Sequence, residues 1–322
     1  MLLGTPAVAL SQAVRAQPAD RPKRLGILIE FAEGDPEAQA RLTALREGLA
    51  GLSWIEGRNL HSEVRFGAGD IARIRTLAAE LAAWAPDVIL GSGAPVTAAL
   101  KQATRTVPIV FVQTSDPVGA GIVPSLSRPG GNITGFTNFE YAMVGKWLEV
   151  LKDLAPDVTR VLLIQNPANF GWPGYRRAME AAAPAMNVRF TLGPVLDAAT
   201  IEQVIGDFAR ESNGSLMVLP DTTTTSHREL IVRLAAHHAL PAVYPFRFFA
   251  DAGGLASYGI DVLHVFRSAA SYIDRILRGE KPGDLPVQAA SKFQLIINLR
   301  TARALKLAVS SNLLIGADEV IE

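Results

Sequence analysis

LGILIEF, residues 25–31, is an almost unbroken apolar run, and its reading decides the fold. A strand with one wet face alternates polar and apolar side chains, whereas a run of this kind buries both faces, as in a parallel sheet covered by helices. Directly after it, Asp35 and Pro36 supply a capping side chain and a first-turn proline. Leu42, Leu45, Leu49 and Leu52 then follow at helical spacing. A second helix is expected at about 70–84, a strand at 88–90, a helix from Gly91-Ser92-Gly93-Ala94-Pro95 to about 105, and a strand at 109–112. The pattern reads β-α-β-α-β-α-β, which right-handed crossovers wind into a doubly wound α/β lobe.

The same grammar returns further along the chain. VLLI (161–164) answers the opening strand, helices are expected near 173–186 and 200–211, and LMVL (216–219) supplies the next strand. Ser226-His227-Arg228-Glu229 has capping-box spacing and is expected to start a helix to about 239. Pro241-Ala242-Val243-Tyr244 echoes Pro108-Ile109-Val110-Phe111. The offset of roughly 130 residues is one domain length, so two similar lobes in tandem are expected. Arg128-Pro129-Gly130-Gly131-Asn132 is a turn signal between them. Beyond the second lobe come a strand (255–259), a helix (262–278), an apolar run (293–299) and a last helix from about 301. A tail of that kind implies that the chain crosses between lobes more than once, which makes a hinge rather than a loose tether.

Bulk composition excludes several classes. The 322 residues carry 31 basic and 31 acidic side chains, a formal net charge of zero, so the positive field that nucleic-acid binding needs is missing. There is no cysteine, which removes disulfides, thiolate nucleophiles and thiolate metal sites. His61, His227, His237, His238 and His264 are dispersed, and the neighbouring pair cannot share a helix face, so no metal site is expected. Gly-x-Gly-x-x-Gly does not follow the first strand and no Walker loop occurs. No cofactor and no catalytic residue are therefore expected. Residues 2–14 (LLGTPAVALSQAV) are apolar or small, too short for a membrane span, and Val14 and Ala16 suit cleavage before Gln17. Residues 1–23 are read as a signal peptide and tether, and the protein as exported to the periplasm.

Ligands of open α/β sheets sit outside the carboxyl ends of the strands. Six loops would line a cleft between two such lobes: 30–35, 91–95 and 113–117 from the first, 165–172, 220–226 and 244–249 from the second. Ser92, Gly93 and Pro95 open a helix whose dipole and free amides suit a carboxylate. Ser115 and Asp116 offer a hydroxyl and a carboxylate for an ammonium or hydroxyl group, and Asp221 stands at the matching strand end of the second lobe. Phe170, Trp172, Tyr244 and Phe246 are candidate apolar walls, and Thr222 to Thr225 read as a polar loop.

Three long segments carry a resemblance: PIVFVQTSDPVGAGIVPSLSRPGGNITG (108–135), AGGLASYG (252–259) and RILRGEKPGDLPVQAASKFQLIINLRTARALKL (275–307). From about Arg24 to Glu322 the chain resembles the ABC-transporter substrate-binding protein family related to tryptophan- and tyrosine-binding lipoproteins, which has the type I periplasmic-binding fold. The resemblance implies a receptor, expected to be a monomer, that captures a small organic solute, of amino-acid or aromatic/carboxylate type, and delivers it to an ABC permease. It implies cleft positions at Gly93, Pro95, Ser115, Asp116, Asn166, Asp221, Tyr244 and Tyr258, with Arg247 for a ligand carboxylate. Crossovers are implied near 133–137, 260–262 and 286–291, dividing the chain into lobes of 24–134 plus 262–288 and 135–261 plus 289–322. The chain departs from the family pattern at its start, which lacks basic residues, at Thr222 to Thr225, where relatives often carry aromatics, and at Phe248, where an acidic residue is common. A ligand sensor on the same fold and a two-lobed Rossmann-like enzyme are the alternatives. The sensor lacks room for a DNA-binding segment before Arg24, and the enzyme lacks a phosphate loop.

Overall fold

The computed structural model describes residues 21–138, 140–169 and 171–322. The expected signal segment up to residue 20 and the candidate wall residue Phe170 lie outside them. In chain order the first part runs β1 (Lys23–Ile29), α1 (Pro36–Gly51), β2 (Leu60–Phe66), α2 (Ile71–Ala83), β3 (Val88–Ser92), α3 (Ala94–Ala103), β4 (Ile109–Thr114) and β5 (Ile133–Thr137). Next come α4 (Met143–Leu154), β6 (Arg160–Gln165), α5 (Trp172–Ala182), β7 (Arg189–Pro194), α6 (Ala198–Phe208), β8 (Gly214–Val218), α7 (Thr222–Ser226), α8 (Arg228–His237), β9 (Ala242–Tyr244), α9 (Arg247–Asp251) and β10 (Ala256–Ile260). The chain ends with α10 (Val262–Leu277), β11 (Phe293–Asn298), α11 (Leu299–Ala304), α12 (Ser311–Ile315) and β12 (Glu319–Ile321).

Two sheets result. The first is parallel in the order β2-β1-β3-β4-β5; the second has the order β7-β6-β8-β9-β10 extended by β11 and β12. The repeat is therefore topological: β6 to β10 take up the positions of β1 to β5. The parallel pattern breaks between β10 and β11, which pair antiparallel, and β12 runs parallel to β11. Leu25, Ile27 and Ile29 face α1 and α10 on one side of the first sheet, while Leu28 packs with Ile89, Phe111, α2 and α3 on the other. That double burial is the physical meaning of the apolar run. The strand β2 has a polar pattern, LHSEVRF, because as an edge strand it buries little. Leu52, at the end of the predicted stripe, is the C-cap of α1.

The expected capping box at Ser226 is overturned. Ser226 ends α7, and α8 starts from His227 without a side-chain cap. The capping role falls one turn earlier to Asp221, whose carboxylate accepts from the amides of Thr223 and Thr224. The threonines 222–225 are thus a short helix rather than a loop.

Three chain passages link the sheets, and they hydrogen-bond to one another. After β5, Thr137 N donates to Gln288 O, and Gln288 N donates to Gly135 O, both at 2.9 Å. At the end of β10, Asp261 N donates to Lys292 O at 3.0 Å, and the Lys292 ammonium lies 2.7 Å from the Asp261 carboxylate. The helix α10 lies against α1, with Trp54 Nε1 donating to Asp274 at 2.8 Å. Gly48 permits this approach: a Cβ there would meet the Arg267 carbonyl and Ala270 Cβ within 3 Å.

Candidate functional site

The carboxyl ends of both sheets face one cleft, and its inner chamber draws on all six loops. Glu30 and Phe31 follow β1, Gly93 and Ala94 open α3, and Gln113 and Ser115 end β4; Asn169, Asp221, Thr222 and Phe246 close it from the other side. Arg41 from α1 and Asn138 from the first crossover complete the wall. The chamber holds about 30 Å³, room for one or two water-sized groups. It shares Ala94, Asn169, Asp221 and Thr222 with an outer vestibule of about 470 Å³. The vestibule is walled by the starts of α2 and α3 on one side and by Asn166, Leu196 and His227 on the other.

Electrostatics in the chamber centre on Glu30 and Arg41. Both are buried, 5% and 0% exposed, with Arg41 Nη1 3.4 Å from Glu30 Oε1. The guanidinium also lies 4.4 Å over the Phe31 ring. Arg41 belongs to the buried face of α1 with Leu45 and Leu49, at helical i, i+4, i+8 spacing. Burial pushes the Glu30 carboxyl up to about 7 against the downward pull of Arg41, because an ion in a low-dielectric site loses its hydration. Glu30 Oε2, Arg41 Nε and Gln113 Nε2 are buried and have no hydrogen-bond partner within the protein. Such atoms are costly unless something satisfies them.

Backbone geometry aims some of these groups. Gln113 has a left-handed backbone (φ 61°) at a register shift between β4 and β5, the kind of bulge that redirects a side chain beside a site. Gly93 (φ 96°) caps α3, and a Cβ there would overlap the Glu30 carboxylate. Opposite, Asp221 accepts from Asn169 Nδ2 at 2.9 Å. Burial raises its carboxyl despite that bond and the amides of Thr223 and Thr224. Ser115 Oγ donates to Asn138 Oδ1 at 2.7 Å.

Placement of the other sequence candidates is uneven. Pro95, Asn166 and Asp221 line the vestibule, with Asn166 Nδ2 donating to Thr223 Oγ1 at 3.0 Å. Ser92 is fully buried beneath the chamber. Asp116 serves its own loop: it accepts from Gly119 N and from Tyr141 OH, both at 2.8 Å. Tyr244 lines neither cavity; it is buried and stacks on Phe249 at 4.9 Å. Tyr258 also lines neither, stacking on Phe293 while its carbonyl accepts from Trp147 Nε1 at 2.6 Å. Arg247, expected beside a ligand carboxylate, lines neither cavity. It is 45% exposed and held by both oxygens of Glu319, at 2.6 and 2.8 Å, so β12 neutralises it outside the cavities. The sequence reading did not single out Glu30, Arg41, Gln113, Asn138 or Asn169. A charge at i, i+4, i+8 with leucines was the available signal for Arg41.

The lobes touch across the cleft. Arg228 Nη1 and Nη2 reach the two Asp35 oxygens at 2.9 and 3.3 Å. Asp35 also caps α1 by accepting from Glu37 N, so one carboxylate ties a helix start to the opposite lobe.

Residues 28–321 match the sequence profile of the family described as ABC transporter substrate binding protein. The chain belongs to that family. A Tyrosine-binding protein of Clostridioides difficile is similar to this substrate-binding protein at 25% identity over 302 residues, covering 92% of this chain and 86% of the relative. A conserved domain protein from Vibrio cholerae superposes with a TM-score of 0.87 at 27% identity, covering 93% of this chain and all (100%) of the other. A Streptococcus pneumonia protein in complex with L-Trp shares the fold at 23% identity and TM-score 0.87, with 93% and 100% coverage. Among the described residues no helix is long and apolar enough to cross a membrane, and no group of three or more metal-ligating side chains occurs.

Proposed function

We propose that this substrate-binding protein is the extracytoplasmic, periplasmic solute receptor of an ABC importer. It holds a small organic solute between its lobes and hands it to the permease, without bond chemistry. The observation that carries this reading is the inner chamber, where buried groups of both lobes converge and Glu30 Oε2 and Gln113 Nε2 have no partner in the protein. A chamber opening into a vestibule lined by apolar residues such as Ile71, Pro95 and Leu196 together with polar ones such as Arg75, Asn166 and His227 has the build of a small-molecule site. The relative described as tyrosine-binding and the L-Trp complex support solutes of amino-acid or aromatic type.

We assign the lobes as residues 24–137 with 262–288, and 138–261 with 289–322; the first boundary, expected at 134, is set at 137, where β5 of the first sheet ends. Three adjacent crossovers then form the hinge, and Arg228–Asp35 is a contact made on closure. A monomer is the working unit. Thermal melts across a library of amino acids, aromatic acids, amines and other small metabolites test the reading, with X-ray scattering on the hits. A solute should raise the melting temperature and reduce the radius of gyration. A library in which nothing shifts either quantity overturns the receptor reading.

A further inference from the structure

The charges of the inner chamber do not balance. Two carboxylates from opposite lobes, Glu30 and Asp221, line it with a single guanidinium, Arg41. Arg41 already lies 3.4 Å from Glu30 and packs over Phe31. With both acids ionised the chamber carries one excess negative charge, and an uncompensated buried charge is costly. Burial raises the carboxyls of both Glu30 and Asp221, and a cation beside them would favour their ionised forms.

In the inner chamber, the places where a ligand carboxylate would ordinarily dock are taken. The amides of Thr223 and Thr224 at the start of α7 go to Asp221. At the start of α3 the Glu30 carboxylate packs directly on Gly93, the N-cap. Two arginines near the cleft are likewise engaged, Arg41 with Glu30 and Arg228 with Asp35, and Arg75 lines only the outer vestibule, not the inner chamber. Meanwhile Glu30 Oε2 is a buried acceptor, in a residue 5% exposed, with no hydrogen-bond partner in the protein.

Resting on the receptor reading above, we propose that the solute is an organic amine, its primary ammonium seated in the inner chamber between Glu30 and Asp221 and its uncharged body in the vestibule. An ammonium is water-sized and fits about 30 Å³. Its three N–H donors suit Glu30 Oε2 and the Asp221 carboxylate, and its charge brings the chamber to neutrality. Within the chamber, the head group of a zwitterionic amino acid leaves one negative charge uncompensated, and that of a simple acid leaves two. The body of the ligand passes Ala94 and Thr222, which line both spaces, and meets Ile71, Pro95, Ala98 and Leu196 in the vestibule. Ile71 and Leu196, from opposite lobes, are 46% and 59% exposed, an apolar pair suited to an aromatic or alkyl body.

Calorimetry on the full chain with matched trios tests this: tyramine, tyrosine and the deaminated acid of the same side chain, then tryptamine, tryptophan and the corresponding indole acid. The amine is expected to bind at least tenfold more tightly than the amino acid, and the acid not at all. Glu30→Gln should weaken amine binding by at least tenfold, about the worth of one charge-assisted hydrogen bond, and narrow the gap between amine and acid. An amino acid or acid that binds as tightly as its amine overturns the proposal while leaving the receptor reading intact. Unchanged amine affinity in a folded Glu30→Gln protein also overturns it. Failure of all six compounds to bind overturns the amine assignment, while the receptor reading still stands or falls on the wider library.

Discussion

Replacing Glu30 with glutamine removes a pH-dependent part of the stability, and the size follows from the site. The carboxyl is 5% exposed, and burial, opposed by Arg41, lifts it from 4.5 to about 7. Between those values the folded protein keeps a proton that the unfolded chain has already released. Stability from this group is thus fully present below pH 4.5 and is lost as the pH rises through 7. At about 1.36 kcal/mol for each pH unit between the two values, the swing is about 3 kcal/mol. In a chain of this size that is roughly 5 °C of melting temperature. Urea and thermal unfolding of the ligand-free wild type and Glu30→Gln, from pH 4.5 to 8, give a difference curve in which shared groups cancel. The wild type should lose ground to the variant steadily up to about pH 7.5. A flat curve, or one that rises with pH, refutes the argument, since either means that Arg41 holds Glu30 ionised throughout.

Other expectations follow from single contacts. Arg228→Ala removes the interlobe pair with Asp35 and leaves a partly buried carboxylate; a loss on the order of 2 kcal/mol and a larger radius of gyration without ligand are expected, and unchanged scattering would remove the pair from any part in closure. Gly93→Ala places a Cβ on the Glu30 carboxylate at a backbone conformation (φ 96°, ψ 151°) that other residues avoid. It should cost about 1–3 kcal/mol from backbone strain alone and abolish solute binding in calorimetry. Arg247→Ala breaks only exposed ion pairs, so affinity should be unchanged and stability should stay within about 1 kcal/mol by chemical denaturation.

The architecture was legible where burial is two-sided. The segments around LGILIEF, VILGS, IVFVQT and LMV are continuous apolar runs because both sheet faces are covered. The edge strands β2 and β7, LHSEVRF and RFTLGP, escaped notice because their pattern is largely that of exposed chain. The β5 sequence ITGFT is short and polar, yet wholly buried; Gly135 lets its backbone pass close to Phe111, a fit that no local pattern announces. The six cleft loops were legible because they follow from strand ends. Their occupants were less so: Glu30 read as the end of a strand, and little beyond its helical spacing marks Arg41, which packing against Phe31 and Phe266 buries.

By itself the sequence determined two doubly wound lobes, their repeat of about 130 residues and the side of each sheet on which a ligand would sit. Those features follow from hydrophobic periodicity and chain handedness, which are properties of neighbouring residues. Tertiary structure alone decided which charges meet. Arg41 turned inward to Glu30, Arg228 reached Asp35 across 193 residues, and Arg247 was drawn outward to Glu319. An ion pair depends on distance and desolvation in three dimensions, so only the folded chain could show that the cleft keeps two acids and one base at its centre.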